Sequence, residues 1–416
     1  MTLSQRFTEQ MAVLFDGAVP QHVGIALSGG GDSMALLGLV ADWAKNGCKV
    51  TAITVDHGLR AVSADEAVFA QVAAERLGVT HATLLWKDWD GRGNLQAEAR
   101  QARYALMTNW QHDRAPDMTA ILLGHTLDDQ AETVLMRLAR GSGVDGLAGM
   151  TVGRGSVPPG STAFLRPLLN ERRADLRTYL NAAGTPWLDD PSNDDTRFER
   201  VRIRQALAHL EPLGISPDRL ASTAQSMQRA KLALDWRADE IAQQIAHEPA
   251  PGIVSFDRLG LFAIDPETRL RLVAHALKSV TSAPHRPRLA TLERTLDQAA
   301  GGEGSTLHGA LVTVTPTQVF ISRELEAVKT QTHPFEAAQP WDQRWRFSGS
   351  ALIGTTISAL GEAGVSQINR PPEIPRAALL SYPAAWRGEN VAFVPEIMAI
   401  PAAIAKYIVP AAFPLT

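Results

Sequence analysis

The residues Ser28-Gly29-Gly30-Gly31-Asp32-Ser33 carry the most specific chemistry in this sequence. They follow the apolar run Val23 to Leu27 and precede the helix-like run Met34 to Lys45. A strand, a glycine turn and a helix start therefore meet at one point. Backbone N–H groups converge there and the helix dipole adds partial positive charge, which suits a phosphate group. Glycine has no Cβ, so the main chain can approach an anion closely, and Ser28 and Ser33 add hydroxyls. The phosphate loop G-x-x-x-x-G-K-[ST] is excluded, because Asp32-Ser33 stands where its lysine and hydroxyl residue belong. The register also fails G-x-G-x-x-G, so no dinucleotide fold is indicated. An aspartate inside a phosphate loop makes chemical sense when a divalent metal accompanies the phosphate.

A second tract is acidic: Gly124-His125-Thr126-Leu127-Asp128-Asp129-Gln130-Ala131-Glu132-Thr133. Asp128 and Glu132 are spaced i, i+4, and Asp129 and Glu132 i, i+3, so the acids share one side of a helix start. They can hold Mg²⁺ or receive an ammonium group. A third polar cluster, Asp56-His57-Gly58-Leu59-Arg60, closes the Val/Ile/Thr-rich run from Lys49.

The elements that must position these clusters alternate. Strands are expected at Val23–Leu27, Lys49–Asp56, Val79–Trp86 and Ala120–Gly124. Helices are expected from Met34, from the capping-box pattern at Ser63, over Asn94–His112, and from a second capping-box pattern at Thr126. Such alternation implies an α/β fold with a doubly wound parallel sheet, whose ligands lie at the carboxyl ends of the strands. The three polar clusters fall at those ends. Beyond Asp195, apolar periodicity over Leu220–Ile245, Pro266–Val280 and Arg288–Ala299 indicates a helical middle domain, closed by a hairpin over Ser305–Ser322. A small β-rich C-terminal domain follows, with strand runs near Arg344–Phe347, Leu352–Ile357 and Asn390–Phe393. The expected boundaries are 1–210, 211–326 and 327–416.

Composition bounds the function. The chain has 416 residues, 45% hydrophobic and 20% charged, with a formal net charge of −4. It is not a generally basic nucleic-acid coat, and any such contact must come from local patches. One patch lies between Thr196 and Arg237, where eight basic residues face four acidic ones. No apolar run approaches the ~20 residues of a membrane span, and no secretory signal opens the chain, so the cytoplasm is the expected compartment. The lone Cys48 excludes an intrachain disulfide and any Cys₃ or Cys₄ site.

S-G-G-x-D-S resembles the pyrophosphate loop (PP-loop) of the N-type ATP pyrophosphatases, which split ATP between its α and β phosphates to form an adenylate. The acidic tract resembles the second signature of the tRNA(Ile)-lysidine synthase family. Val55–Arg60, Ala99-Arg100-Gln101-Ala102-Arg103-Tyr104, Arg137-Leu138-Ala139-Arg140-Gly141, Arg166-Pro167-Leu168, Asp190-Pro191-Ser192-Asn193 and Arg200-Val201-Arg202-Ile203-Arg204 resemble further family elements in the same order. The resemblance spans about residues 23 to 207. It implies ATP and Mg²⁺ as cofactors, with L-lysine and a tRNA(Ile) bearing a CAU anticodon as partners. Lysine would be ligated to C2 of the adenylated wobble cytidine, releasing AMP and pyrophosphate. Implied catalytic residues are Asp32, Asp128, Asp129 and Glu132. ATP contacts fall on Ser28, Gly29, Gly30, Gly31, Asp32, Ser33, Asp56 and His57, and metal contacts on Asp32 and Asp129. Substrate or tRNA contacts fall on Arg60, Arg100, Arg103, His125, Gln130, Arg137, Arg140, Arg202 and Arg204. The two later domains carry a tRNA-gripping role by position alone. Rival readings are a thiolase-like PP-loop enzyme, disfavoured by the lone cysteine, and an inert tRNA-binding protein, disfavoured by the intact loop and acids. A homodimer is left open by the sequence.

Overall fold

The computed structural model describes residues 1–58, 63–87, 95–153, 162–189, 195–283, 285–336, 339–398, 401–409 and 413. Arg60 and the tract Asp190 to Asn193 lie outside the described residues. The chain forms two compact units, Met1–Lys231 and Leu232–Thr416.

The first unit is built in chain order from α1 (Leu3–Leu14), β1 (His22–Ala26), α2 (Gly31–Trp43), β2 (Lys49–Asp56), α3 (Ser63–Arg76), β3 (Thr80–Leu85), α4 (Leu95–Arg114), β4 (Ala120–Leu122), α5 (Leu127–Ala139), α6 (Val144–Leu147), β5 (Ala163–Leu165), α7 (Arg173–Ala182) and α8 (Glu199–Leu210). Helix α9 (Pro217–Ile245) carries the chain into the second unit. Among the described residues the strands form one parallel sheet in the order β3-β2-β1-β4-β5. β1 and β4 are apolar and buried, as expected of strands covered on both faces. Sheet, α1, α2 and α7 share a core that includes Phe7, Met11, Leu36, Leu37, Leu176 and Leu180. α2 is apolar almost all round because it is buried almost all round.

Strand order decides where a ligand can sit. From β1 the chain adds β2 and β3 on one side, and later β4 and β5 on the other. Loops leaving β1 and β4 therefore diverge to opposite faces and open a crevice between them, the switch point of a doubly wound sheet. The glycine loop leaves β1 and the acidic tract leaves β4.

The second unit continues with β6 (Ala246–Ala250), β7 (Ile253–Asp257), α10 (Arg258–Ala263), α11 (Pro266–Thr281), α12 (Leu289–Ala300), β8 (Ser305–Leu307), β9 (Ala310–Val314) and β10 (Gln318–Arg323). These strands make an antiparallel sheet in the order β6-β7-β10-β9-β8, and a core containing Leu272, Leu277, Leu292 and Ile321 includes residues of α11, α12 and that sheet. Next come β11 (His333–Pro334), β12 (Trp345–Ser348), β13 (Thr356–Ala359), α13 (Gly361–Val365), α14 (Arg376–Leu379), β14 (Pro383–Arg387), β15 (Asn390–Phe393) and β16 (Ile404–Tyr407). They give a second antiparallel sheet, β11-β13-β14-β15, and the pair β12-β16, around Trp341 and Trp345.

Several strands have no sequence-level signal. β5 is three residues long. β6 contains His247, Glu248 and Pro249, which an edge strand tolerates. β14 opens Pro383-Ala384-Ala385, and pairing with both neighbours, rather than propensity, makes it a strand. The run expected over Leu352–Ile357 instead begins as a 3₁₀ turn, passes Gly354 at φ +73°, and becomes extended at Thr356.

Candidate functional site

The glycine loop is shaped by its own serines and by the chain around Leu188. Ser33 Oγ donates to the Gly30 carbonyl at 2.9 Å and accepts from the Ser28 N–H at 3.2 Å, with the Ser28 hydroxyl 3.1 Å away. Gly29 sits at φ +80°, and a Cβ there would lie 3.0 Å from the Leu188 side chain. Leu188 donates its N–H to the Gly29 carbonyl at 2.9 Å. Gly30 caps α2 with no side-chain acceptor, leaving the first-turn N–H groups for a ligand. Gly124 closes the crevice from the other side: a Cβ there would meet the Asp32 carbonyl group and the Ser33 nitrogen at 3.2 Å.

Opposite the loop, α5 begins with a reciprocal cap. Asp129 Oδ2 accepts from the Thr126 N–H at 2.8 Å and the Thr126 hydroxyl at 2.9 Å, while Thr126 Oγ1 accepts from the Asp129 N–H. The pattern Thr126-x-x-Asp129 forms as its sequence indicates. Asp128 turns to α7: its carboxylate accepts from the Arg173 N–H at 2.7 Å and lies 3.4 Å from Arg172. Glu132 is 1% exposed, paired with Arg204 at 2.9 Å and Arg200 at 3.0 Å.

At the centre stands Arg173, which sequence reasoning did not single out. Its Nε donates to Asp32 at 3.0 Å and one Nη to Asp129 at 3.1 Å, and its other Nη lies 3.5 Å from Glu132. One guanidinium thus joins the phosphate-loop aspartate to the acidic helix. Burial works against the Arg173 charge, but Asp129, Asp32 and Glu132 outweigh it and raise its pKa. Burial pushes the Asp32 carboxyl up, only partly opposed by Arg173. For Asp129 burial also pushes upward, but Arg173, Arg200 and the Thr126 N–H prevail and leave the carboxyl low. A faint signal for Arg173 existed: a cation at the first position of a helix opposes the dipole and needs an anion nearby.

Two histidines border this cluster. Burial lowers the His125 imidazole to about 4; Asp129 pulls it back up, and Arg166, Arg100 and Arg200 push it further down. Its Nδ1 is buried without a hydrogen-bond partner. His57 packs edge-on to Trp86 at 5.6 Å and is lowered by burial and by Arg103. Asp56, at the end of β2, accepts from the Gly58 N–H at 2.8 Å. Ser28, Asp32, His57, His125, Asp129 and Arg173 are among the residues lining one cleft of about 1630 Å³. Arg103, Arg202 and Arg204 also line it.

The remaining expected contacts are placed as follows. Gln130 clamps the Met150 backbone, donating at 2.8 Å and accepting at 2.7 Å. Arg137 donates to the Gly146 and Gly149 carbonyls at 2.8 and 3.0 Å, pinning the loop after α6. Arg140 pairs with Glu199. Arg202 donates to the Thr196 and Arg197 carbonyls, both at 2.9 Å. Arg100 lies over the Tyr104 ring at 5.4 Å.

A metal would find two carboxylates here, Asp32 and Asp129, facing each other across Arg173. Among the described residues no three His, Cys, Asp or Glu side chains form a ready cage. Two carboxylates beside a phosphate loop fit Mg²⁺, which commonly takes one or two carboxylates and completes its shell with phosphates and water.

Known proteins resemble this chain over most of its length. Residues 3–211 match the family model described as a PP-loop domain. A Ruegeria pomeroyi protein named tRNA(Ile)-lysidine synthase is 38% identical over 395 residues, covering 94% of this chain and 92% of that one. A protein of the same name from a Methylobacterium species is 39% identical over 309 residues, covering 72% and 88%. One from Wolbachia pipientis is 32% identical over 359 residues, covering 84% and 80%.

Proposed function

Because the chain belongs to the tRNA(Ile)-lysidine synthase family and carries its PP-loop domain, we propose that the cleft between β1 and β4 joins L-lysine to the wobble cytidine of a CAU-bearing tRNA(Ile). The protein is an ATP-using ligase acting on tRNA. The observation that carries the finer reading is the convergence of an anion-binding loop and the carboxylates of Asp32 and Asp129 on one cleft, bridged by Arg173.

Ligation needs two displacements. In the first, the cytidine C2 oxygen attacks the α phosphate of ATP and pyrophosphate leaves. The N–H groups of Gly29 to Ser33 hold the phosphates, and their fixed dipoles stabilise the charge that develops on the leaving group. Mg²⁺, held by Asp32 and Asp129, would supply further neutralisation of that charge. In the second, the lysine ε-amine attacks C2 and AMP leaves. A free lysine ammonium has a pKa of ~10.4, so it must shed a proton before attack. Asp129, which lines the cleft, orients the ammonium and assists its deprotonation, while the buried Glu132 holds Arg200 and Arg204 in place. His125 is uncharged at neutral pH, and its unpartnered Nδ1 is offered to the base. Arg100 and Arg103 serve the RNA backbone, while Arg137 and Arg204 act through the loop and the Glu132 carboxylate that they hold. No described helix is long and apolar enough to cross a membrane, in keeping with a cytoplasmic tRNA enzyme.

The test uses ATP labelled at the α phosphate. With a CAU transcript and no lysine, label should join the RNA; adding lysine should release it as AMP. A transcript that never acquires label would refute the adenylation step.

A further inference from the structure

We infer that the Arg173 guanidinium is a resident placeholder for the divalent cation: it occupies the place between Asp32 and Asp129 and leaves when the cation arrives. The inference deepens the reading above and rests on its assignment of Asp32 and Asp129 to the metal.

Three features carry it. The first is charge. Asp32, Asp129 and Glu132 are matched by Arg173, Arg200 and Arg204, so the cluster is already neutral. A divalent cation entering beside an unmoved Arg173 would give the cluster an excess of positive charge and meet the guanidinium at close range, so the two repel. The second is position. Arg200 and Arg204 pair with Glu132, whereas Arg173 takes both proposed metal carboxylates, at 3.0 and 3.1 Å. The third is how the residue is anchored. The Arg173 backbone N–H is fixed to Asp128 at 2.7 Å, so the start of α7 stays put if the side chain moves. That side chain is 20% exposed and lines the cleft. Its long stem lets the guanidinium swing toward anions held at the glycine loop without moving a helix.

The consequence is a cleft that holds its divalent cation poorly until phosphates arrive with it. The test is Mn²⁺ binding to the full-length, nucleotide-free protein, read from the electron paramagnetic resonance of free Mn²⁺. R173Q should bind one Mn²⁺ at least about tenfold tighter than wild type, the scale of removing one nearby positive charge. The double variant R173Q/D32N should lose that gain. R173Q that binds no tighter, or a gain that survives D32N, overturns the inference. Should R173Q fail to fold, R173K decides. Its single ammonium bridges the two carboxylates less well, so a few-fold gain supports the inference and none overturns it. Calorimetric titration with L-lysine is the second arm: tighter lysine with unchanged Mn²⁺ would assign the place to the ammonium and overturn the divalent reading. The binding measurements contain neither nucleotide nor RNA. A wild-type enzyme that fails to adenylate tRNA therefore refutes the proposed function without touching this result, and the reverse holds.

Discussion

Each unit buries a knot of arginine and carboxylate, and the two knots differ in access. In the first, Arg173 holds Asp32 and Asp129 along the wall of a cleft of about 1630 Å³ and lies 3.5 Å from the buried Glu132. In the second, Asp342 accepts from Arg344 at 2.7 Å and from Arg323 at 3.1 Å, and Arg344 also donates to the Val280 carbonyl at 2.6 Å. Side-chain exposure there is 7% for Asp342 and 3% for Arg344. The same chemical groups thus serve two ends. A closed knot ties the turn before β12 to the end of α11. An open one keeps charged groups assembled where a ligand can displace them.

Substitutions should separate the two knots. The largest effect is expected from Asp129→Asn, which keeps an acceptor for the Thr126 cap but loses the charge. Lysine transfer should fall on the order of 10³-fold, with a smaller loss of stability than Asp342→Asn brings because Arg173 keeps Asp32 as a partner; single-turnover transfer and thermal unfolding read the two. Asp342→Asn should do the converse. It strands the buried Arg344 guanidinium and weakens the hold on the half-buried Arg323, and should cost about 3 kcal/mol of unfolding free energy by denaturant titration, while kcat of the folded fraction stays at wild type.

A smaller effect tests the crevice. Gly124→Ala places a methyl 3.2 Å from the Asp32 carbonyl group and the Ser33 nitrogen, so the glycine loop must shift. KM for ATP should rise about tenfold, equivalent to ~1.4 kcal/mol, with the fold unchanged by circular dichroism.

The smallest effect concerns pH. His125 and His275 are both lowered from 6.5 to about 4, chiefly by burial. Between those pH values the unfolded chain binds protons that the folded one refuses, so stability rises with pH over this window and is lost as pH falls through it. Each histidine should contribute at most about 1.4 kcal/mol per pH unit to that slope. His125→Gln and His275→Gln should both flatten it in unfolding titrations, and only His125→Gln should also slow lysine transfer.

How much of this was legible in the sequence follows from distance along the chain. The glycine loop, the Thr126–Asp129 cap and the shared helix side of Asp129 and Glu132 are local patterns, and each formed as its spacing indicates. The parallel sheet followed from the alternation of strands and helices, whereas the strand order around β1 did not. Arg173 was not legible, because it meets Asp32 across 141 residues and Asp129 across 44. The same holds for Gln130 and Arg137, whose polar groups are turned to backbone carbonyls that no local pattern identifies. In the second unit, β6 and β14 are held as strands by partners, and their own residues give little sign of it.

The most direct measurement is label retained on RNA. Purified protein is incubated with ATP, Mg²⁺, labelled L-lysine and a tRNA(Ile) transcript bearing CAU, beside a control with U at the wobble position. Stable label on the cytidine transcript alone is the expected result. Label on neither transcript, or equally on both, contradicts lysine transfer to the wobble cytidine.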